Sequence, residues 1–299
     1  MIVPPYLKKG DTVGIVCPSG FLPAKKVTDC IHVLKSWGYQ VRLGKTVGNQ
    51  YHYFSGTDAE RLADLQQMLD DPEINAVLFG RGGYGLSRII DSISFRSFSR
   101  HPKWLIGFSD ITVLHAHLYQ RVGVASLHAP MAAAFAKPDL SSVITLKKAL
   151  TGKKQSYTCL PHSFNRVGSV SGRIIGGNLS LIAHLVGSRS ALQTKGAILF
   201  LEDIGEYIYN IDRMLIQLKR NGFFNQLGGL LIGGFSDCKD TEIPFGLTAL
   251  EVIQHQIKEF DFPVCFNFPV SHDIHNVAIK HGMAYHLSVT NKKVLLKEI

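Results

Sequence analysis

Apolar and polar positions alternate with two different periods along this chain. Thr12 to Cys17, Tyr39 to Leu43, Ala76 to Phe79 and Trp104 to Phe108 are short runs dominated by apolar residues. Between them lie stretches with helical spacing: 23–37, with Val27, Ile31, Leu34 and Trp37 on one side; the segment opened by Thr57-Asp58-Ala59-Glu60, with Leu62, Leu65 and Leu69; and Ile111 to Arg121. Thr57 and Glu60 stand at the spacing of a capping box, in which each side chain satisfies the other's free amide. Near-continuous apolar strands alternating with amphipathic helices predict a parallel sheet covered on both faces.

The polar stretch 151–165 is read as a linker between a domain at 1–150 and another at 166–299. The second half is more mixed. Arg173 to Asn178 carries Gly-Gly, read as a turn before a helix. Ala197 to Leu201 is a strand ending in Glu202-Asp203, and a helix from about Ile211 to Asn221 presents Met214, Leu215 and Leu218. Leu230–Phe235 and Val264–Phe268 read as strands flanking a helix over 246–259. Tyr285–Thr290 and Lys293–Leu296 form a closing hairpin.

Composition narrows the classes. Of 299 residues 45% are hydrophobic, which suits a folded core rather than disorder. No uncharged apolar run approaches the ~18 residues of a membrane span, so no membrane insertion is expected. The start of the chain has no basic region followed by an apolar one, so no secretory signal is expected either. Five cysteines, odd in number and widely spaced, argue against a disulfide framework or structural zinc and for a reducing compartment. The net charge of +9 is spread along the chain. With no basic tract interleaved with aromatics, it suits a small anionic substrate better than nucleic acid.

The sharpest chemical feature is Ile106-Gly107-Phe108-Ser109-Asp110, a serine between an apolar strand and a helix. Such a turn lifts the hydroxyl from the sheet, where the free amides of a helix start favour negative charge. The Asp110 amide is placed to help bind an oxyanion. Ser109 or Asp110 acting only as a helix cap is the alternative. A serine nucleophile needs a base and an orienting acid. His272 and Glu202 both follow apolar strands, where ligands of open α/β sheets gather. Asp203 and Glu206 rival Glu202 as the acid, and His275 and His281 rival His272 as the base.

Gly80-x-Gly82-x-x-Gly85 matches a dinucleotide fingerprint, which would suit a nucleotide-binding regulatory module. It follows at least two earlier strands, however, and no acid ends the next strand to hold a ribose. The glycines are read instead as a tight turn bringing backbone amides to a reacting oxygen. His115 and His117 lie two apart on a helix and point to different sides, so no metal and no cofactor is expected.

These residues, with Leu7-Lys8-Lys9-Gly10-Asp11, Pro18-Ser19-Gly20, Arg81-Gly82-Gly83-Tyr84-Gly85, His128-Ala129-Pro130-Met131, Gly176-Gly177-Asn178-Leu179 and Leu201-Glu202-Asp203-Ile204-Gly205-Glu206, resemble the LD-carboxypeptidases. This serine-peptidase family includes the murein tetrapeptide carboxypeptidases and the microcin-immunity hydrolases. The resemblance runs almost end to end. It implies an α/β fold: an N-terminal Rossmann-like parallel sheet flanked by helices, and a smaller mixed α/β C-terminal domain, with the site between them. It further implies Ser109 as nucleophile, Glu202 as orienting acid and His272 as base. The oxyanion donors would be the amides of Asp110 and of Gly82 or Gly83, and Arg81 is a candidate for the substrate carboxylate. The implied substrate is a muropeptide tetrapeptide losing D-alanine, in a cytoplasmic homodimer. The second implied activity is hydrolysis of peptidyl or aminoacyl nucleotides. Two positions depart from the family pattern: Ser271 stands where a glycine usually precedes the histidine, and Ala129 where a glycine usually follows His128.

Overall fold

The computed structural model describes residues 1–136 and 139–299. They form two units, Met1–Lys153 with Val277–Lys280, and Lys154–Asn276 with His281–Ile299.

In the first unit the apolar runs become β1 (Thr12–Val16), β2 (Gln40–Leu43), β3 (Ile74–Phe79), β4 (Trp104–Gly107) and β5 (Ser126–His128). They lie in the order β2-β1-β3-β4-β5, every neighbouring pair parallel, and the distant strand Ile279–His281 adds beside β5. The chain moves outward from β1 to β2 and then returns to β3 on the other side. That reversal is a topological switch point, and in open α/β sheets ligands bind at the carboxyl ends of strands flanking it. The helices α1 (Thr28–Ser36), α2 (Asp58–Asp70), α3 (Arg96–Arg100), α4 (Thr112–His117) and α5 (Leu140–Leu150) connect the strands or follow them. The capping box at Thr57 and Glu60 forms as expected. The helix expected over Ile111–Arg121 is a composite: a 3-10 turn at Ser109–Ile111, then α4, then a π turn to Val122 closed by left-handed Gly123. Helix α5 was not foreseen; Asp139 caps it by accepting from the Ser142 amide at 2.9 Å.

The second unit holds β6 (Ser156–Cys159), β7 (Gly168–Asn178), β8 (Ile198–Ile204), β9 (Gly229–Ser236), β10 (Val264–Cys265), β12 (Ala284–Val289) and β13 (Val294–Glu298); the strand Ile279–His281 is β11 of the chain. Its sheet runs β10-β9-β8-β7-β12-β13-β6, parallel over the first four strands and antiparallel over the rest. Helices α6 (Leu179–His184), α7 (Ile208–Arg220) and α8 (Ala249–Gln256) complete it. On α7, Ile211, Met214, Leu215 and Leu218 are buried; such side chains contribute roughly 1.5–3 kcal/mol each.

Three expectations need correcting. The segment 151–165 is not a bare linker, because β6 pairs with β13 inside it. The Gly-Gly of 176–177 is not a turn but the end of β7, extending alongside Phe200 and Leu201. A Cβ on Gly176 would sit 2.0 Å from the Phe200 carbonyl oxygen, so only glycine permits this approach. The strand expected over Val264–Phe268 stops at Cys265. There the Phe266 amide turns to Asn165 Oδ1 at 2.7 Å, and Asn267 takes a left-handed φ of 57°.

Candidate active site

The loops leaving β1, β3 and β4 meet at the carboxyl end of the first sheet. Ser109, two residues after β4, has a φ of 62°. For an L-residue that conformation costs ~1–2 kcal/mol, and strain of this kind persists only where the surroundings dictate it. The neighbouring Asp110 supplies much of that constraint. It is fully buried, and its Oδ2 accepts from Ser19 Oγ at 2.5 Å and from the Leu86 amide at 2.9 Å. One carboxylate thereby ties together the loops after β1, β3 and β4. Burial pushes its pKa up, against the opposing pull of those two bonds and the Arg61 charge.

Gly82 lies against the serine. A Cβ there would stand 2.8 Å from Ser109 Cβ, 2.9 Å from its Oγ and 3.3 Å from the Asp110 amide nitrogen. Its carbonyl accepts from the Gly20 amide at 3.2 Å. Gly83 has a φ of 101°, and a Cβ on it would meet the Tyr53 hydroxyl at 2.5 Å. Arg81 donates from Nη1 to the Phe21 carbonyl at 3.0 Å, fastening the same loop to the one after β1. Leu86–Arg88 after the cluster is only a 3-10 turn. It lacks the helix start on which a dinucleotide's pyrophosphate would rest.

In the second unit Glu202 lies in the buried run of β8, followed by buried Asp203, and is itself fully buried. Its Oε2 lies 2.6 Å from His272 Nδ1, and the imidazole keeps 13% side-chain exposure. Two glycines of β9 make the encounter possible. A Cβ on Gly233 would stand 2.1 Å from the Val270 carbonyl oxygen and 3.2 Å from Glu202 Cβ, and one on Gly234 would stand 2.5 Å from Ser271 Cβ. The bare backbone lets the segment carrying His272 lie directly on β9, with the Gly234 amide donating to Val270 at 2.9 Å. Ser271 holds the turn: its Oγ donates to the His275 carbonyl at 2.9 Å and accepts from the Asp273 amide at 3.0 Å.

The Nδ1 bond to Glu202 fixes the neutral tautomer with the proton on Nδ1, which leaves Nε2 as the basic nitrogen. Burial pulls the His272 pKa down. The hydrogen bond that Nδ1–H donates to Glu202 and the charges of Glu202, Asp203 and Asp273 outweigh it, so the net shift is upward. Three of the rival groups are occupied elsewhere. Asp203 accepts from Asn178 Nδ2 at 2.7 Å and from the Ser180 amide at 2.9 Å, and burial beside Glu202 pushes it up to about 7. Glu206 accepts from Asn210. His281 Nε2 accepts from the Gly176 amide at 3.1 Å.

His115 is fully buried, its ring within 2.8 Å of both Ser126 Oγ and the Gly107 carbonyl oxygen, and burial pushes it down to about 4. His117 instead stacks on Phe95. Among the described residues no group of three or more His, Cys, Asp or Glu is placed to hold a metal ion. No helix among them is long and apolar enough to cross a membrane.

The structure thus brings Ser109, Asp110, Gly82, Gly83 and Arg81 together in one unit, and Glu202 with His272 in the other. Sequence reasoning gave no role to Ser19, Gly233 or Gly234. Gly-Gly directly after the apolar run Leu230-Leu231-Ile232 was the available signal for the last two.

A strained serine at a helix start and an imidazole backed by a buried carboxylate are the equipment of serine hydrolases. Comparison with known proteins makes the class specific. Residues 13–129 match the LD-carboxypeptidase N-terminal domain and residues 171–287 the C-terminal domain, and the chain belongs to this family. It is 34% identical to a probable murein peptide carboxypeptidase of Bacillus subtilis, over 98% of this chain and 94% of the relative. The crystal structure of muramoyltetrapeptide carboxypeptidase from Oxalobacter formigenes superposes with a TM-score of 0.88 at 27% identity, covering 96% of this chain and 98% of that one. The microcin C7 self-immunity protein of Escherichia coli is 25% identical, over 98% of this chain and 94% of its own length.

Proposed function

We propose that this protein is a serine-type murein peptide carboxypeptidase that removes the terminal D-alanine of muropeptide tetrapeptides. The observation that carries the chemistry is the 2.6 Å bond from His272 Nδ1 to the Glu202 carboxylate, which orients an imidazole as a base. The resemblance to murein carboxypeptidases over nearly the whole chain supports the substrate.

In this reading His272 Nε2 takes the Ser109 proton as Oγ attacks the carbonyl of the L-to-D peptide bond. The amides of Asp110 and of Gly82 or Gly83 hold the oxyanion, each such donor being worth ~3–4 kcal/mol. His272 returns the proton to the departing D-alanine nitrogen. Water then repeats the sequence on the acyl-enzyme and frees Ser109. Arg81 is assigned to the substrate's terminal carboxylate, one guanidinium nitrogen already anchored on Phe21. No cofactor enters the scheme. A homodimer in the cytoplasm completes the proposal; it rests on the family resemblance and on five unpaired cysteines.

Mass spectrometry of muropeptides before and after incubation tests the activity. Tetrapeptides should become tripeptides with the native protein and stay intact with Ser109→Ala. Cleavage of an aminoacyl-sulfamoyl adenosine with intact tetrapeptides would move the assignment to the microcin-immunity activity. Unchanged D-alanine release by Ser109→Ala would remove the serine from the mechanism.

A further inference from the structure

None of the five cysteines has a part in the chemistry above, but two of them meet. Cys159 ends β6 and Cys265 ends β10, and their Sγ atoms lie 3.6 Å apart. These strands are the two opposite edges of the second sheet, so the sheet curls until its borders touch. Neither cysteine sits on a loose segment. Cys159 is paired with Val294 across β13, and Cys265 with Leu231 across β9. Between them Arg166 and Val264 exchange backbone bonds at 3.0 and 3.1 Å, and the His162 ring stacks on Phe266 at 5.6 Å.

We infer that Cys159 and Cys265 form a preset redox pair, which a two-electron peroxide oxidant converts reversibly into an intramolecular disulfide. The sulfurs need to close from 3.6 Å to a bond of ~2.0 Å. Access orders the steps: Cys159 is half-buried whereas Cys265 is fully buried. The thiol chemistry agrees. The bond from Cys265 favours the Cys159 thiolate, while sharing that proton and burial hold Cys265 protonated. The Cys159 thiolate attacks one oxygen of hydrogen peroxide; the O–O bond breaks and the departing hydroxide is protonated to water. Cys265 then gives up its proton and attacks the sulfenic sulfur, and the S–O bond breaks to release a second water. Two thiols lose two electrons and one peroxide gains them.

The other cysteines supply internal controls. Burial and the carboxylates of Asp203, Glu206 and Asp237 push the half-exposed Cys238 thiol up. Cys17 is pushed up to about 12 by burial, and Cys30 higher still.

The test uses the full-length protein, reduced, desalted and treated with equimolar hydrogen peroxide, then digested without reductant. The expected product is one cross-linked peptide joining Cys159 to Cys265 in a monomeric band on denaturing gels, reversed by dithiothreitol. Cys265→Ser should stop at a dimedone-reactive sulfenic acid on Cys159, and Cys159→Ser should abolish the link. Because the bridge spans 106 residues of sequence, the oxidised protein should melt higher by about 5 °C or more. Oxidation of Cys238 ahead of the pair, linkage between chains instead of within one, or a lower melting point on oxidation would each overturn the inference.

Discussion

Replacing Glu202 by glutamine isolates what the buried carboxylate does for His272. The change keeps the shape of the side chain and removes its charge at a site with no solvent to compensate. A hydrogen bond to a charged group contributes about 1.5–3 kcal/mol, which at 1.4 kcal/mol per tenfold is a loss of about 10- to 150-fold in kcat/KM. If the new amide turns its NH2 toward Nδ1, the imidazole is held in the wrong tautomer and the loss is larger. The pH profile separates this from general damage. In the native protein the carboxylates outweigh burial and raise the His272 pKa. The base is therefore neutralised by protonation early as pH falls, and the acid limb of kcat/KM should lie above the ordinary imidazole value of ~6.5. Without the Glu202 charge, burial gains the upper hand and the acid limb should move to lower pH even as the plateau drops. The assay is D-alanine release from a muropeptide tetrapeptide between pH 5 and 9 (a range of about four units around that value). A Glu202→Gln protein with native activity, or one with lowered activity and an unmoved acid limb, would refute the assignment of acid and base.

Other outcomes follow from individual contacts. Ser109→Gly and Ser109→Ala should both lose D-alanine release, but the glycine variant should be the more stable by about 1 kcal/mol in urea unfolding, because it alone is free of the left-handed penalty. Equal stability of the two would mean that the turn stores no strain. Gly82→Ala should cut activity by at least about tenfold while leaving the circular dichroism spectrum unchanged, because the added methyl falls within 3 Å of Ser109 Oγ. Burial beside Glu202 pushes Asp203 up to about 7 in the folded state, against ~3.9 unfolded. The folded protein therefore holds the extra proton between these values, and unfolding free energy should fall as pH rises from about 4 to about 7. Asp203→Asn should flatten that slope in denaturant titrations. Ser271→Gly removes both bonds bracing the His272 turn. It should cost about 1 kcal/mol of stability and lower kcat more than it alters KM.

The elements most legible in the sequence are those whose formation depends on local pattern. The buried strands β1, β3 and β4, the capping box at Thr57 and the closing hairpin all follow from periodicity and a few neighbouring side chains. What stayed hidden depends on partners remote in sequence. Strand β6, inside the segment read as a linker, is a polar edge that becomes a strand only because β13, more than a hundred residues away, offers a ladder. Strand β11 has too few residues to register alone, and joins a sheet whose other members all lie before residue 129. The Gly176-Gly177 pair read as a turn because glycine usually breaks a strand; here it serves close backbone approach to Phe200.

The candidate site divides along the same line. Ser109 stands out from its own neighbours, since a serine between an apolar strand and a helix is a local signal. Which of Glu202, Asp203 and Glu206 backs the histidine is not local: the three lie within five positions of one another and differ only in what faces them. Asp203 is claimed by Asn178 and the Ser180 amide, and Glu206 by Asn210. Glu202 meets His272 because Gly233 and Gly234 admit the segment 270–272 onto β9. The selection of the acid is therefore made by two residues that carry no side chain at all. On this argument Gly233→Ala should do more harm to the Glu202–His272 pair than Asp203→Asn, although it alters no ionisable group. Nuclear magnetic resonance titration of the His272 ring in both variants would show it: the pKa should fall in Gly233→Ala as the carboxylate contact is lost, and fall less in Asp203→Asn.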